Sequence, residues 1–442
     1  MPNPILPLWE YIPDGEPRVF GDRVYLYGSH DNAGADNFCD KKLKVWSAPI
    51  NDLNNWVCHG DSFRLVGDEE RPADIKGLED CYLYAPDVIE KDGVYYLYMY
   101  VFMAGGIVAK SDKPEGPFKL ISTYQYDPED VGDGGIFNDP GVLVDDDGRV
   151  YIYYGFEKSH SNEINPENMV EIIKGSYRPN MVGERDRSDD AWFFEASSIR
   201  KIGDTYYFIY SPRLGNRLAY ATSKTPQGPF EYRGYIVDNG DEYPAGNDHG
   251  SICNINGQWY IFYHRMTNGT ITSRRACVEK IEILPDGSIP TVEMTSLGFE
   301  DALDPYKITE AEIACVLKGG AMVTEKDRFT RVITNITNGC IAGYKYFEFG
   351  EDNTGVSMQL YVKTHGTGCR SRIHVYIDSV DDKNEIGVVE IGSNSGEYSG
   401  KVKCVTGRHA LYFKAEYAYE GAFTDAFDKR NLFDLCSFVF IK

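Results

Sequence analysis

Five ionisable side chains recur along the chain, each lying 9 to 12 residues before a tyrosine. The side chains are Asp14, Asp87, Asp139, Glu195 and His249, and the tyrosines are Tyr25, Tyr96, Tyr151, Tyr207 and Tyr260. A repeated spacing predicts equivalent positions in a repeated structure, so we expect these groups to meet in one pocket. Because like charges are costly to bring together away from water, such a cluster indicates a functional site.

Three of these groups have the chemistry needed to hydrolyse a glycosidic bond. That reaction uses one carboxylic acid that protonates the leaving oxygen and one carboxylate that activates water from the opposite face. Glu195 follows the aromatic run WFF, and apolar surroundings raise the pKa of a carboxyl group, so we predict that Glu195 is the acid. Asp14 lies in the polar stretch IPDGEP and is predicted to be the base. Asp139 is predicted to keep the proton on Glu195 by like-charge repulsion.

Aromatic and charged residues near these positions are candidates for holding a sugar, because aromatic faces stack on sugar rings. The aromatic candidates are Trp9, Tyr84, Trp192 and Phe193. For each of them, ordinary packing in the core is the alternative. Asp87 and Arg274 are also predicted to contact substrate. For Arg274 and its neighbour Arg275, a salt bridge at the rim of the pocket is the alternative.

The segments around the five tyrosines repeat one another and predict β-hairpins. They are GDRVYLYGS at 21–29, DGVYYLYMY at 92–100, DGRVYIYYG at 147–155, GDTYYFIYS at 203–211 and NGQWYIFYH at 256–264. Each combines a glycine-containing turn with a strand. The tyrosines are separated by 71, 55, 56 and 53 residues, and a period of this size suits a four-stranded propeller blade. Residues 1–298 are therefore predicted to form a five-bladed β-propeller whose innermost strands carry the ionisable groups.

The last third of the chain shows strand patterns without this repeat. Segments such as MQLYVKT, RIHVYID and SFVFIK alternate apolar and polar residues in the manner of half-buried strands. Residues 299–442 are predicted to form a second domain, a jelly-roll-like β-sandwich. The fold class is therefore all-β, a five-bladed propeller followed by a sandwich.

The composition of the chain limits the kinds of partner that it can bind. A formal net charge of −23 repels phosphate backbones and argues against a nucleic-acid partner. No apolar run is long enough to span a membrane, and the N-terminus lacks a basic segment followed by an apolar one. The ten cysteines include no CxxC pair, and Cys253, Cys277 and Cys436 lie in apolar runs, so we expect reduced core thiols. We expect a cytoplasmic protein, although a processed, secreted form would show the same N-terminus.

Several stretches resemble glycoside hydrolase family 43. They are PDGEPRVFGDRVYLYGSHD, YAPDVIEKDGVYYLY, NDPGVLVDDDGRVYIYYG, FFEASSIRKIGDTYYFIYS and GNDHGSICNINGQWYIFYHR, one from each predicted blade. The resemblance implies a five-bladed propeller that inverts configuration at the anomeric carbon and uses no organic cofactor. It places the base on Asp14, the pKa-tuning aspartate on Asp139 and the acid on Glu195. It also implies a calcium ion held through water by His249 in the central channel, and an arginine, Arg274, that contacts the substrate or the acid pair.

One feature departs from this pattern, and two others concern resemblances to other families. The family usually has Asp-Pro at the base, whereas Gly15 follows Asp14 here, so Glu16 is a rival for the base. The NDP at 138–140 is similar to the nucleophile motif of invertase-like enzymes, but it lies in the third repeat rather than the first, so a retaining fructosidase is not expected. The C-terminal ending resembles family 6 carbohydrate-binding modules but contains no tryptophan, so a purely structural sandwich is the alternative.

Together these features predict an inverting exo-glycosidase. We expect it to remove a terminal pentose, α-L-arabinofuranose or β-D-xylose, from plant-derived oligosaccharides or polysaccharides. The alternatives are the same mechanism on galactofuranosides or galactans, and a propeller that binds glycans without cleaving them. The sequence leaves the oligomeric state open.

Overall fold

The structure is a computed structural model that describes residues 1–213, 216–353, 356–419 and 429–442. Two β architectures follow each other along the chain: five small antiparallel sheets up to residue 281 and one large antiparallel sheet from residue 309. The prediction of an all-β fold, with a five-bladed propeller followed by a second β domain, is confirmed. The described residues contain no helix of the length and apolarity needed to cross a membrane.

Each propeller sheet has its strands in chain order, as expected for a blade. Blade one is β1 (Glu16–Phe20), β2 (Arg23–Tyr27), β3 (Lys42–Pro49) and β4 (Val57–Arg64); blade two is β5 (Leu83–Lys91), β6 (Val94–Val101), β7 (Gly105–Ser111) and β8 (Lys119–Thr123); blade three is β9 (Gly141–Val144), β10 (Val150–Tyr154), β11 (His160–Ile164) and β12 (Arg178–Pro179); blade four is β13 (Glu195–Ile202), β14 (Thr205–Ser211), β15 (Arg217–Ser223) and β16 (Glu231–Asp238); blade five is β17 (Ser251–Ile255), β18 (Gln258–Thr267) and β19 (Thr270–Ile281). A short 3-10 helix, Pro128–Asp130, lies between blades two and three. The repeated tyrosines all lie on the second strand of their blade, next to the innermost one.

The N-terminal segment closes the ring of blades. The N–H of Ile5 donates to the carbonyl of Ala276 on β19, and the side chain of Asn3 bonds to both backbone groups of Val278. This segment lies along the open edge of β19, where a four-stranded blade would have its outer strand. The beginning and the end of the propeller are thereby joined.

The second domain is one sheet folded back over a shared core. Its strands are β20 (Thr309–Glu310), β21 (Val316–Lys318), β22 (Met322–Asp327), β23 (Thr330–Thr334), β24 (Ile341–Glu348), β25 (Met358–Gly366), β26 (Ser371–Ile377), β27 (Glu385–Ile391), β28 (Gly396–Val402), β29 (Arg408–Tyr417) and β30 (Phe433–Ile441), with 3-10 helices Ala311–Ile313 and Asp382–Asn384. The rings of Tyr344 and Phe413, on β24 and β29, each lie 4.8 Å from the ring of Phe438 on β30. Since β30 is not hydrogen-bonded to either strand, the two halves of the sheet face each other as layers.

Strand burial follows the sequence pattern. On β25 the side chains of Met358, Leu360 and Val362 are buried and alternate with more exposed neighbours, as a one-sided sheet requires. On β10 every residue is buried, because neighbouring blades cover both faces. Cys253, Cys277 and Cys436 are buried free thiols, as the sequence predicted.

The two domains share one hydrophobic core. It includes Tyr220 and Ile261 of blades four and five together with Val316 and Phe347 of the second domain. A buried ion pair crosses the same interface, with Arg275 Nη1 2.6 Å from an oxygen of Glu312. The predicted division between 1–298 and 299–442 falls in the connection from β19 to β20 and stays a prediction.

Candidate active site

The innermost strands carry Asp14, Asp139 and Glu195 to one end of the propeller channel. We call these three groups the carboxylate pocket. Asp14 and Asp139 each lie two residues before their strand, in the left-handed backbone region with φ of 56° and 46°. Asp tolerates this region better than most residues, and strained backbone of this kind concentrates at functional sites. Glu195 is the first residue of β13.

Asp14 is held in its ionised form by a buried arginine. Its Oδ1 lies 2.7 Å from Nη1 of Arg274, whose Nε and Nη2 bond to the carboxylate of Asp31 at 2.9 and 3.0 Å. Burial acts to raise the pKa of Asp14, but the positive charge of Arg274 outweighs it and lowers the pKa below the usual range. Asp14 is therefore ready to accept a proton at neutral pH.

Two neutral histidines line the same side of the pocket. Nδ1 of His249 lies 3.7 Å from Oδ1 of Asp14 and 3.9 Å from Oδ2 of Asp139, so one imidazole connects the two aspartates. Nδ1 of His264 accepts the backbone N–H of Asp14 at 3.4 Å. Burial lowers the pKa of both rings, and that of His264 falls to about 3 with a further contribution from Arg274. Neutral rings add no charge that would stabilise the ionised form of Glu195.

Glu195 keeps its proton to a higher pH than an ordinary glutamate does. Burial, reinforced by the charge of Asp14, raises the pKa of Glu195 to about 7, although Asn247 donates a hydrogen bond to its Oε1 at 3.4 Å. Asp139 accepts the N–H of Ala196 at 3.1 Å, and its pKa is raised well above the usual range by burial and by the charges of Glu195 and Asp14. The pocket therefore holds a proton on the Asp139 and Glu195 side and a negative charge on Asp14.

The sequence matches a known family of enzymes. The model for family 43 of the glycosyl hydrolases matches residues 1–289. The chain belongs to glycosyl hydrolase family 43. A curated relative from Thermoclostridium stercorarium, named xylosidase/arabinosidase, is 39% identical across 93% of this chain and 95% of its own length. A Bacillus subtilis protein named arabinoxylan arabinofuranohydrolase is 27% identical across 89% of this chain and 85% of its own length.

Solved structures of the family show the same fold. A Bacillus subtilis arabinoxylan arabinofuranohydrolase, crystallised with cellotetraose, superposes with a TM-score of 0.54 over 100% of this chain and 97% of its own, at 23% identity. A family 43 β-xylosidase/α-arabinofuranosidase from a compost metagenome, in complex with xylotriose and in a calcium-free form, has a TM-score of 0.53 at 26% identity and covers 66% of this chain and 98% of its own.

A β-bulge lies at Glu195 in this family 43 protein. Glu195 pairs with Ser211, but Ser198 pairs with Ile209, so β13 has one extra residue at this point. Ala196, inside the bulge, has a φ of 68°. The extra residue turns the side chain of Glu195 toward the pocket, and it points the N–H of Ala196 at Asp139.

The same bulge in blade two corrects the assignment of Asp87. There Tyr84 pairs with Tyr100 and Asp87 pairs with Tyr98, so Tyr84, not Asp87, is the counterpart of Glu195. Asp87 is fully buried in the channel, where it bonds Arg18 and does not face a substrate. The spacing in the sequence indicates this difference. Asp87 precedes its tyrosine by 9 residues, whereas each of the other four groups precedes its own tyrosine by 11 or 12.

The aromatic residue next to the acid is Phe194, not the predicted Phe193. Phe193 is 3% exposed and packs on Phe208 and Tyr210 in the core of blade four. Trp192 is also buried and stacks on Phe194 at 5.9 Å, so it supports the site from behind. Phe194 is half-buried, and its ring lies 4.9 Å from that of the exposed Phe156. Phe194, which directly precedes Glu195 in the chain, and Phe156 form a ring pair that we call the aromatic wall.

Two other residues that the sequence predicts to contact substrate, Tyr84 and Arg274, lie near the pocket. Half-buried Tyr84 stacks on Phe102 at 5.4 Å, and the charge of Asp139 contributes to raising its pKa. Arg274 bonds Asp14 directly, so the rim salt bridge is excluded for it. Trp9, by contrast, lies at the domain junction against Phe329.

The rival base, Glu16, points away from the carboxylate pocket. It is buried, and its Oε2 lies 2.6 Å from Nη2 of Arg200 in the channel. Asp14 therefore keeps the position expected of the base.

Five other residues at the site were not predicted from the sequence. They are Asp31, Phe38, Phe194, Asn247 and His264. Most of them come from loops or from the second strand of a blade, where the repeat gave no equivalent position to compare.

Proposed function

We propose that this protein is an inverting exo-glycosidase that removes a terminal pentose, α-L-arabinofuranose or β-D-xylose, from plant-derived oligosaccharides. The feature that carries this proposal is a pair of carboxyl groups in one pocket whose neighbours shift their pKa values in opposite directions. The pKa of Asp14 is lowered while that of Glu195 is raised to about 7. The names of the relatives from Thermoclostridium stercorarium and Bacillus subtilis support the substrate class.

The reaction follows from these charge states. Glu195 gives its proton to the glycosidic oxygen as the bond from that oxygen to the anomeric carbon breaks. A water on the opposite face forms the new bond to the anomeric carbon and gives a proton to Asp14. The products are a free pentose of inverted configuration and the shortened oligosaccharide. Solvent then removes the proton from Asp14 and returns one to Glu195.

The other pocket residues prepare these two steps. Arg274 keeps Asp14 ionised and fixes it through Asp31. Asp139, next to Glu195, favours a proton on the pair and is itself oriented by the N–H of Ala196. Asp14, Asp139 and Arg274 are buried away from bulk water, which strengthens each of these interactions.

Burial of the carboxyl groups supports action at chain ends. Asp14 and Asp139 are 5% and 7% exposed, at the bottom of the pocket. A terminal sugar can reach such groups, whereas a residue within a polymer backbone would carry its neighbours into the walls. The leaving group lies on the side of Glu195, next to the aromatic wall of Phe194 and Phe156.

A galactofuranoside substrate is the second candidate. A relative from Aspergillus niger named β-D-galactofuranosidase is 27% identical across 67% of this chain and 86% of its own length. The mechanism would be the same, and the shape of the pocket around the sugar would decide whether a pentose or a galactofuranose binds. A propeller that only binds glycans is disfavoured, because all three carboxyl groups of the pocket are in place.

For the second domain we propose a structural role in supporting blades four and five. The shared core and the buried pair of Arg275 with Glu312 support this role. Carbohydrate binding in the manner of a family 6 module is the alternative, and titration of the domain surface with xylohexaose distinguishes the two.

The test of the catalytic proposal is a panel of nitrophenyl glycosides of α-L-arabinofuranose, β-D-xylose and β-D-galactofuranose. We expect turnover of at least one pentoside, and a loss of roughly 10²–10⁴-fold in kcat/KM for oligosaccharides in Glu195→Gln. Asp14→Asn should be equally impaired, whereas Glu231→Gln, on the exposed outer strand β16, should match the wild type. Near-normal turnover in either pocket variant removes that residue from its role. Activity on the galactofuranoside alone would replace the pentose assignment.

A further inference from the structure

Four charged side chains fill the propeller channel below the carboxylate pocket. Arg18 binds Asp87 through two bonds of 3.0 and 2.6 Å, and Arg200 lies 2.6 Å from Glu16. The two carboxylates are 0% and 2% exposed, and the two arginine side chains are 14% and 11% exposed. We call this group the channel clasp.

The channel clasp touches the innermost strand of every blade. Glu16 and Arg18 are on β1, Asp87 is on β5 and Arg200 is on β13. Asp87 also accepts the N–H of Val142 on β9 at 2.8 Å, and Arg200 donates to the carbonyl of Ile252 on β17 at 3.0 Å. A single polar network therefore holds the five strands together around the axis.

These residues do not fit a calcium ion near His249. Calcium takes six to eight oxygen ligands, which are carboxylates, carbonyls or waters, and nearby carboxylates offset the charge of the ion. Nδ1 of His249 faces Asp14 and Asp139. The charge of Glu16, a carboxylate in the channel, also acts on this ring, but Glu16 is already paired with Arg200. Two guanidinium groups balance the two carboxylates of the clasp, so no surplus negative charge remains to offset a divalent cation.

The part of the chain that the structure describes gathers three metal-ligating side chains elsewhere. That group, Asp127, Glu129 and Asp130, lies on the 3-10 helix between blades two and three. It is partly solvent-exposed and does not line the channel. Among the described residues, no such group of three acidic ligands lies in the channel.

We propose that the channel clasp takes the place of an axial metal ion. Its two ion pairs close the ring of blades and fix the strands that carry Asp14, Asp139 and Glu195, so that folding and catalysis need no divalent cation. Oε1 of Glu16 makes no hydrogen bond to the protein and is the atom at which a cation would bind if this proposal were wrong.

Metal content and thermal stability test the proposal without reference to activity, so its failure is distinct from failure of the proposed function. The full chain is dialysed against EDTA, then against metal-free buffer, and its calcium is measured by plasma mass spectrometry. We expect far less than one equivalent of calcium, and a Tm that millimolar Ca²⁺ shifts by less than about 2 °C. One retained equivalent, or a Tm that rises with Ca²⁺ in a saturable way, overturns the proposal.

A pair of variants tests the clasp itself. Arg200→Met leaves Glu16 buried without its partner and should lower the Tm by roughly 3–5 °C. The matched control is Arg149→Met, which removes an exposed ion pair with Asp147 and should change the Tm little. The double variant Glu16→Leu with Arg200→Met leaves no unpaired charge and should recover part of the loss. A wild-type Tm in Arg200→Met contradicts the clasp, and if that variant fails to fold, a folded double variant supports it.

Discussion

The ionisation of each carboxyl group follows from its immediate neighbours. Asp14 has Arg274 at 2.7 Å, whereas Glu195 has only the weak bond from Asn247 at 3.4 Å. Burial acts on both in the same direction, so the arginine decides which group loses its proton. Of these partners, Arg274 was predicted from the sequence because it follows the fifth repeat. Asn247 was not, since nothing in its type or spacing marks it.

The pH profile is the first prediction. Asp14 must be ionised and Glu195 protonated, so kcat/KM should fall as the pH rises through about 7, where Glu195 loses its proton. On the acid side the fall should come below the usual range of an aspartate, because the pKa of Asp14 is lowered. Steady-state assays of an unactivated xylo-oligosaccharide across the pH range measure both limbs.

The variant Glu195→Gln serves as the control for this profile. Its residual activity should no longer decline on the alkaline side, since the amide does not titrate. An unchanged alkaline limb in the variant would assign that limb to another group.

At the scale of elements, bulges decide which side chains reach the pocket. The sequence repeat predicts that blades two and four are equivalent, and they are, with the same irregularity near the start of β5 and β13. A repeat of turns and tyrosines does not show where a strand carries an extra residue. This is why the sequence indicates Asp87, rather than Tyr84, as the equivalent of Glu195 in blade two.

The second prediction concerns the bulge residue Ala196. Glycine adopts positive φ without strain, so Ala196→Gly should keep kcat/KM within about threefold of the wild type. Ala196→Val should lose both stability and activity, because a β-branched residue is strained at a φ of 68°. Tm and kcat/KM are the measurements.

Ala219 is the matched control for this prediction. It is fully buried on β15 of the same blade. Ala219→Gly should be destabilised by roughly 0.5–1 kcal/mol, as usual for glycine within a strand. An equal loss of stability in Ala196→Gly would contradict the role given to the bulge.

The third prediction separates Phe194 from its neighbour Phe193. Phe194→Ala removes a ring beside the leaving group, so the KM for xylotriose should rise about three- to tenfold, as expected for one aromatic contact. Phe193→Ala opens a cavity in the core and should instead lower stability by about 3–5 kcal/mol. Steady-state kinetics and thermal unfolding of both variants check this. A raised KM in Phe193→Ala with an unchanged one in Phe194→Ala would reverse the assignment.

At the scale of the whole molecule, the two domains are joined by a common core. The propeller could be predicted because its repeat, turns and tyrosines recur at a nearly constant period. Two contacts could not be predicted: the bond of Ile5 that joins the ring, and the core that Val316 shares with blade five. Contacts between distant segments leave no periodic pattern in the sequence.

The fourth prediction follows from that shared core. The two domains should unfold together in one calorimetric transition, because separating them would expose apolar side chains and leave Arg275 buried without Glu312. A chain cut back to residues 1–298 should aggregate or unfold at a clearly lower temperature. Two well-separated transitions in the full chain would show that each domain is stable on its own.

The stereochemistry of the first product tests the central claim most directly. Water activated by Asp14 attacks the face opposite to the leaving group protonated by Glu195, so the released sugar must have the inverted configuration. Proton NMR of a β-xyloside digest, recorded before mutarotation, should show α-xylose first. Initial release of β-xylose would mean a covalent intermediate and would contradict the role of Asp14 as the base that activates water.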